Sequence, residues 1–504
     1  MRYRRAFVAF LTFACVLAHS APPKSAVEPE VQTALDTIHA SDLRMDLSYI
    51  ASDQLEGRDS PSRGLDLAAD YIAAQFRGAG LEPGVGDSYF QNASMFVEEP
   101  NLSNFELNLS AGDRRYSATP KDAALSFQAA LDLKDAPLFK LDLGDQSLVQ
   151  HLTASQVEGK VVITEIDAKT RLRFRSVSRV LREGKPALLI MVNKRSGAPH
   201  EQRPRQLLVD ADEAGTGAAT PRVSISGGDG ASFYGALKPG AGNATASVHI
   251  AAPHRTPAKL RNVVGVLRGS DPALRDTYVL LTAHYDHLGV KPGGPGDRIY
   301  NGANDDGSGT VSVVEVARAL ARLPKHPRRS IVFMTFFGEE EGLIGSEYYA
   351  HHPVFPLAKT VADLNLEQVG RTDSTEGPQI SNASLTGFDY SDLTAFVQRA
   401  GESTGIRVYK NEQGSDNYFS QSDNFSLAEA GVPAETLCVA FDYPDYHAVG
   451  DEWQKIDYDN MAKVDRAIAL SMVLMADSEQ PVQWNEGNSK TAPYVKAWKL
   501  RGVE

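Results

Sequence analysis

The sequence is poor in cysteine, poor in positive charge and without a long apolar run, and each shortage excludes something. Of its 504 residues only Cys15 and Cys438 are cysteines. Cys15 lies in a stretch that reads as a removable leader, so the mature chain keeps Cys438 alone and no intramolecular disulfide can form. A chain this large can bury enough core without one. Cys438 sits among Thr436, Leu437, Val439 and Ala440, the texture of a buried strand, and is expected to be a small core residue rather than a nucleophile. Lys and Arg number 51 against 64 Asp and Glu, a net charge of −13. Such a chain is repelled by phosphate backbones and anionic lipid, which argues against nucleic acid or a membrane surface as partner. The apolar run at the start, residues 6–18, is shorter than the about 20 residues a spanning helix needs. With 42% hydrophobic and 23% charged residues and no internal repeat, the chain reads as globular.

Residues 1–20 have the layout of a signal peptide. Arg2, Arg4 and Arg5 form a basic start, the apolar run follows, and Ala18-His19-Ser20 offers small residues before a cut. Bulky Phe13 stands where lipid attachment at Cys15 would want a small residue. The expectation is export to the periplasm or medium, with no membrane association after cleavage. Residues 21–100 form the N-terminal part of the main domain. There Leu65, Ala68, Ala69, Ile72 and Phe76 recur at helical spacing, and Gly78 and Gly80 supply a stop. Between 101 and 255 the texture changes to short apolar runs broken by Gly, Pro, Asp and Asn. Residues 161–166 and 187–192 read as strands around a basic helix at 171–182, and glycine-rich 226–230 and 239–242 follow. A separate mixed α/β module with its own small core is expected.

From 256 to 480 apolar runs of strand length alternate with helical periodicity. Residues 277–283, 330–337, 361–366 and 434–441 are candidate buried strands. Residues 310–323, capped by Ser308, and 456–475 are candidate helices. The alternation predicts an α/β fold, an open and mostly parallel sheet with helices on both faces. The tail at 481–504 is expected to be irregular and docked by Trp484, Tyr494 and Trp498.

The polar residues stand at the ends of those strands. His284-Tyr285-Asp286 follows the first, Gly338-Glu339-Glu340-Glu341-Gly342 the second, Glu367 ends the third, and Tyr446-His447 comes after the fourth. Ligands of an open α/β sheet bind outside the carboxyl ends of its strands. Asp305-Asp306-Gly307-Ser308-Gly309 adds two carboxylates at a helix start. Taken singly, these are a solvated acidic run, helix N-terminal acids or a buried histidine. Together, carboxylates converging on one crevice repel one another and need a cation. Imidazole with carboxylate and no thiolate suits zinc, then manganese or cobalt. The ligands exceed what one zinc needs, whereas two ions about 3.5–4 Å apart would use them all. His284 and Glu367 can hold one, Glu340 and His447 the other, with Asp305 between them. Asp286 fits a carboxylate that orients the His284 ring. Of Glu339 and Glu340, one can ligate while its neighbour stays free as a general base.

These motifs resemble the di-zinc exopeptidases that include bacterial secreted leucine-type aminopeptidases and glutamate carboxypeptidases. The matching segments are Ala283-His284-Tyr285-Asp286-His287-Leu288-Gly289, Gly302-Ala303-Asn304-Asp305-Asp306-Gly307-Ser308-Gly309, and Phe337-Gly338-Glu339-Glu340-Glu341-Gly342-Leu343-Ile344-Gly345-Ser346. The resemblance implies two Zn²⁺ per chain, with His284, Asp305, Glu340 and His447 as ligands, Asp305 as bridge, Asp286 as orienter and Glu339 as general base. Leu55-Glu56-Gly57-Arg58 looks like the family's N-terminal segment. Gln156-Val157-Glu158-Gly159-Lys160-Val161-Val162-Ile163 looks like part of an inserted protease-associated domain.

The chain departs from the pattern in two places. Glu367 stands where the family usually has Asp, with Asp363 on the same strand as the fallback ligand. Ser422-Asp423-Asn424 stands where relatives often have Ser-Asp-His. A tyrosine that steadies the oxyanion is also implied, and Tyr446 and Tyr418 are the candidates. The resulting expectation is an exported zinc aminopeptidase acting on peptides. Its rivals are a carboxypeptidase or dipeptidase, which needs a cation such as Arg371 or Arg298 for the substrate carboxylate, an inactive receptor module on the same fold, and a glutaminyl cyclase.

Overall fold

A computed structural model of the chain describes residues 27–126, 130–166, 170–193, 207–212 and 220–501. The signal peptide expected at 1–20 lies outside the described residues.

The four candidate strands form, within a residue or two for three of them, as Tyr278–His284, Ser330–Phe336, Thr360–Glu367 and Ala434–Cys438. The last stops three residues short of expectation, because Val439 and Ala440 turn to bond their amides to the Gln368 carbonyl instead of a strand. All four lie side by side and parallel, in the spatial order Ser330–Phe336, Tyr278–His284, Thr360–Glu367, Ala434–Cys438. Every residue of the first two is buried, as strands covered on both faces must be. The outer strands run antiparallel to this centre. His254–Leu267 pairs with Ser330–Phe336 on one side, and Asn382–Leu385 pairs with Ala434–Cys438 on the other. Cys438 is buried in its strand, as expected of a core residue.

Side-chain alternation sends Val279, Leu281, Ile331 and Phe333 to one face. There they pack with Leu47, Phe76, Val313 and Ile468 from helices. Tyr278, Leu280, Val332 and Met334 face the opposite way and meet Tyr349, Leu427, Trp484 and Val495. The helices begin and end for local reasons. Arg63–Ala79 starts where Ser62 accepts from the Leu65 amide and stops at Gly80, whose φ of 85° suits glycine; Gly78 lies inside it. Gly309–Leu320 is not capped by Ser308, whose hydroxyl donates to the Asn304 carbonyl. Tyr458–Asp477 is capped by Asp457 instead. The tail is less irregular than expected, since Ala492–Leu500 is helical. Trp484 does dock it, stacked on Tyr494 and donating to the Gly431 carbonyl at 3.1 Å.

Residues 106–250 supply a second, eight-stranded mixed sheet with apolar clusters on its two sides. It is not wholly separate from the first. Leu207–Asp210 leaves it to pair with Phe90–Glu99, which in turn runs along His254–Leu267 in the large sheet. This four-residue segment, three of its residues apolar, finds its backbone partners at the edge of the larger sheet, which texture alone does not reveal.

Asp465 is fully buried on Tyr458–Asp477, beside Ser312 and in the field of Glu315, and burial pushes its pKa up to about 8. The unfolded chain ionises near 3.9, so this group lowers stability as pH rises from about 4 to about 8. Asp465→Asn should therefore raise Tm at pH 8, by roughly 2–4 °C for each kcal/mol recovered, with the gain fading at pH 4–5. Calorimetry at the two pH values checks this; equal gains at both would contradict it.

Candidate metal centre

Two of the expected ligands end strands, and the others stand in turns and loops held by hydrogen bonds. His284 ends its strand, and Thr310 donates to its carbonyl at 2.6 Å. Glu367 ends the neighbouring strand. Gly338, at φ 68°, turns the chain after Ser330–Phe336 and presents Glu339 and Glu340. Asp305 lies in the irregular segment Ala303–Ser308, held by Asp451, whose carboxylate accepts from the amides of Asn304 and Asp305 at 2.9–3.1 Å. His447 is in a loop tied down through Asp445 by Arg371 and Lys455.

The structure brings all five together. His284 Nε2 lies 3.4 Å from Asp305 Oδ1 and 3.5 Å from Glu367 Oε1. His447 Nε2 lies 3.0 Å from Asp305 Oδ2 and 3.2 Å from Glu340 Oε2. The two oxygens of Asp305 thus face two different histidines, the arrangement a bridging carboxylate requires. Asp286 Oδ1 is 3.4 Å from His284 Nδ1, and its two oxygens accept from the amides of Glu339 and Glu340. One carboxylate thereby sets both the ring orientation and the turn that carries the glutamates. Asp363 stays inside the sheet bonded to Thr282, away from this cluster, so Glu367 is the acid at the strand end.

The sequence reading gave no role to three residues that are also here. Asp306 groups with His284 and Glu367; its Oδ1 accepts from the amides of Gln368 and Gly309 while Oδ2 has no partner. His287 is buried with Nδ1 2.7 Å from Glu340 Oε1, leaving Oε2 to face His447. The spacing His284-x-x-His287 was the available signal. Ser422 donates to Glu367 Oε2 at 2.7 Å and leaves Oε1 toward His284, so each glutamate turns one oxygen to a histidine expected to hold metal. Of the two tyrosines, Tyr418 commits its hydroxyl to Glu376, whereas Tyr446 stacks on His447 at 4.0 Å and is 46% exposed.

The electrostatics separate the adjacent glutamates. Burial raises the Glu339 pKa well above the usual carboxylate range, with Glu367, Glu340 and Asp423 adding to it against the pull of His284. Burial also opposes ionisation of Glu340, as does Asp305, but His287 and His447 outweigh both and hold it at about 2. Burial disfavours the imidazolium of His447, yet Asp305 and Glu340 prevail and lift it to about 10; carboxylates likewise raise His284 well above its ordinary value. Two divalent cations fit this set. Its buried donors include Nε2 of His284 and Oδ2 of Asp306, neither of which has a hydrogen-bond partner. Protons and metal must then compete for the imidazoles. Zinc affinity, measured by chelator competition, should rise from pH 6 to pH 8; a flat profile would exclude histidine ligation.

Residues 262–472 match the model of peptidase family M28. An aminopeptidase of Bacillus subtilis is 30% identical over 34% of this chain and 34% of its own length. A probable glutamate carboxypeptidase of Arabidopsis thaliana is 26% identical over 43% of this chain and 31% of its own. The chain thus aligns with about a third of the length of these curated relatives. Among solved structures, an aminopeptidase from Aneurinibacillus sp. strain AM-1 superposes with a TM-score of 0.55 at 19% identity, over 88% of this chain and 96% of that one. A zinc aminopeptidase from Bacillus subtilis does so with a TM-score of 0.50, also at 19% identity, over 88% and 97%. These likenesses show the shared α/β fold. Residues 262–472, whose acids and histidines gather at the ends of parallel strands, are thus similar to peptidase family M28.

Proposed function

We propose that the protein is an exported zinc aminopeptidase that removes N-terminal residues from peptides. The observation that carries this reading is Asp305, whose two oxygens face His284 and His447 and so divide the ligands into two sets. His284, Asp305 and Glu367 would hold one zinc ion, and His447, Asp305 and Glu340 the other. Ions held there supply Lewis-acid activation of water and of the peptide carbonyl. Glu339, which burial keeps basic, accepts the proton of the attacking water and delivers it to the leaving amine. Asp286 fixes the tautomer of His284. Tyr446, at the rim beside His447, donates its hydroxyl to the oxyanion. The second sheet is the protease-associated domain inserted in the catalytic chain. Export rests on residues 1–20, and among the described residues no helix is long and apolar enough to cross a membrane.

A carboxypeptidase that relies on Arg371 is disfavoured by the state of that residue. That guanidinium is buried against Asp373 at 2.5 Å and Asp445 at 3.0 Å, so it is not free to take a substrate carboxylate. The acidic pocket suits the ammonium of a peptide N-terminus. Peptides blocked at the C-terminus should be cleaved, and the same peptides blocked at the N-terminus should resist by at least about 100-fold, since a lost charge-assisted contact costs ~1.5–3 kcal/mol and register at the metal pocket is lost with it. The reverse preference would assign a carboxypeptidase.

A further inference from the structure

Arg58 lies beneath the metal pocket, fully buried, and has no part in the chemistry above. It closes a tight turn in which Glu56, Gly57 and Arg58 all have left-handed φ values of 50°, 68° and 51°. A side chain at Gly57 would meet the carbonyl oxygens of Gly289 and Tyr300 at 2.5 Å, so glycine is required for the turn to seat there. From this seat the guanidinium reaches three separate segments. Nε donates to the Tyr285 carbonyl at 2.8 Å, Nη1 to those of Ile50 and Asn301 at 2.6 and 2.7 Å, and Nη2 to that of Gly302 at 2.9 Å. In return the His287 amide donates to the Arg58 carbonyl at 3.2 Å. Tyr285 lies between His284 and Asp286, and Asn301-Gly302 leads into Asp305. Burial lowers the Arg58 pKa to about 10 against the field of Asp286, Asp451, Asp305 and Asp306, so the group remains a cation at neutral pH.

We propose that Arg58 is a positioning residue that joins the loop after His284 to the loop before Asp305, assembling the metal pocket before an ion arrives and supplying a fixed positive charge beneath its carboxylates. The inference rests on the metal-centre reading. Only a planar fork with several donors can span these carbonyls at once; an ammonium offers a point charge with a different reach.

The test compares zinc and cobalt binding by the full-length wild type, Arg58→Lys and Arg58→Met. In Arg58→Lys at least one zinc ion should bind about 10–100-fold more weakly, the scale seen when a partner outside the ligand set is lost. The cobalt absorption spectrum should change as the ligands move, and Arg58→Met should be weaker still. Lower Tm in both variants with unchanged zinc affinity and cobalt spectrum would show a merely structural arginine and overturn the proposal. Should neither variant fold, the wild type decides by hydrogen exchange after chelation. The amides of His287, Ala303 and Gly307 should stay protected without metal, and loss of that protection overturns pre-assembly. A wild type that takes up neither zinc nor cobalt overturns the metal-centre reading and this inference together. Binding by the wild type with equal binding by both variants overturns this inference alone.

Discussion

Glu339→Gln is expected to lower turnover by about 10²–10⁴-fold, the usual cost of losing a general base, while metal content and substrate affinity stay near those of the parent. Glutamine keeps the shape and the hydrogen-bonding atoms and removes only the basicity. The Glu339 side chain lies 3.9 Å from His284, whereas Glu340 lies 3.2 Å from His447 and 2.7 Å from His287. Burial keeps Glu339 proton-hungry, and the imidazoles around Glu340 keep it anionic, so the two neighbours are prepared for different work. Glu340→Gln should therefore fail in another way, with weaker retention of at least one ion and partial recovery in excess zinc. Metal analysis and steady-state kinetics on the two purified variants decide the matter. Metal lost from Glu339→Gln and kept by Glu340→Gln would exchange the assignments.

Asp305→Asn should cost both ions. Its Oδ1 faces His284 and its Oδ2 faces His447, so neither ligand set is complete without the charged carboxylate. Asparagine preserves volume and leaves one oxygen, but removes the negative charge and offers a donor where an acceptor is needed. Each ion should weaken by more than the ~10–100-fold seen for groups that only support ligands, and turnover should fall with occupancy. Glu367→Gln makes the contrast, because Glu367 approaches His284 at 3.5 Å and belongs to one set only. One ion should then stay near its parental affinity. Isothermal titration with zinc on both variants gives the stoichiometries, and an Asp305→Asn variant that retains one tight ion would disprove the bridge.

The fold of the main domain was legible because its central strands are fully buried. Runs such as Val279–Ala283 announce themselves by unbroken apolar character, and the turn to His, Asp or Glu at their ends marks where the sheet meets solvent. The helix ends were less legible. Ser308 looks like a cap, yet its hydroxyl is drawn to Asn304 and the Val369 amide by contacts that exist only once the next strand is in place. Leu207–Asp210 was assigned to the inserted module by its neighbours in sequence and belongs by pairing to the larger sheet.

The same division runs through the metal centre. Residue types and order alone pointed to His284, Asp305, Glu340, Glu367 and His447 as one cluster, because buried acids at adjacent strand ends repel one another and favour a cation. Which neighbour does what was decided by tertiary structure. Asp306 has one oxygen held by two amides, His287 takes one oxygen of Glu340, Ser422 takes one of Glu367, and Arg58 comes from more than two hundred residues away to bond the loop behind His284. These are distances between groups far apart in the chain, and spacing along a sequence carries no information about them until the sheet brings its strand ends together.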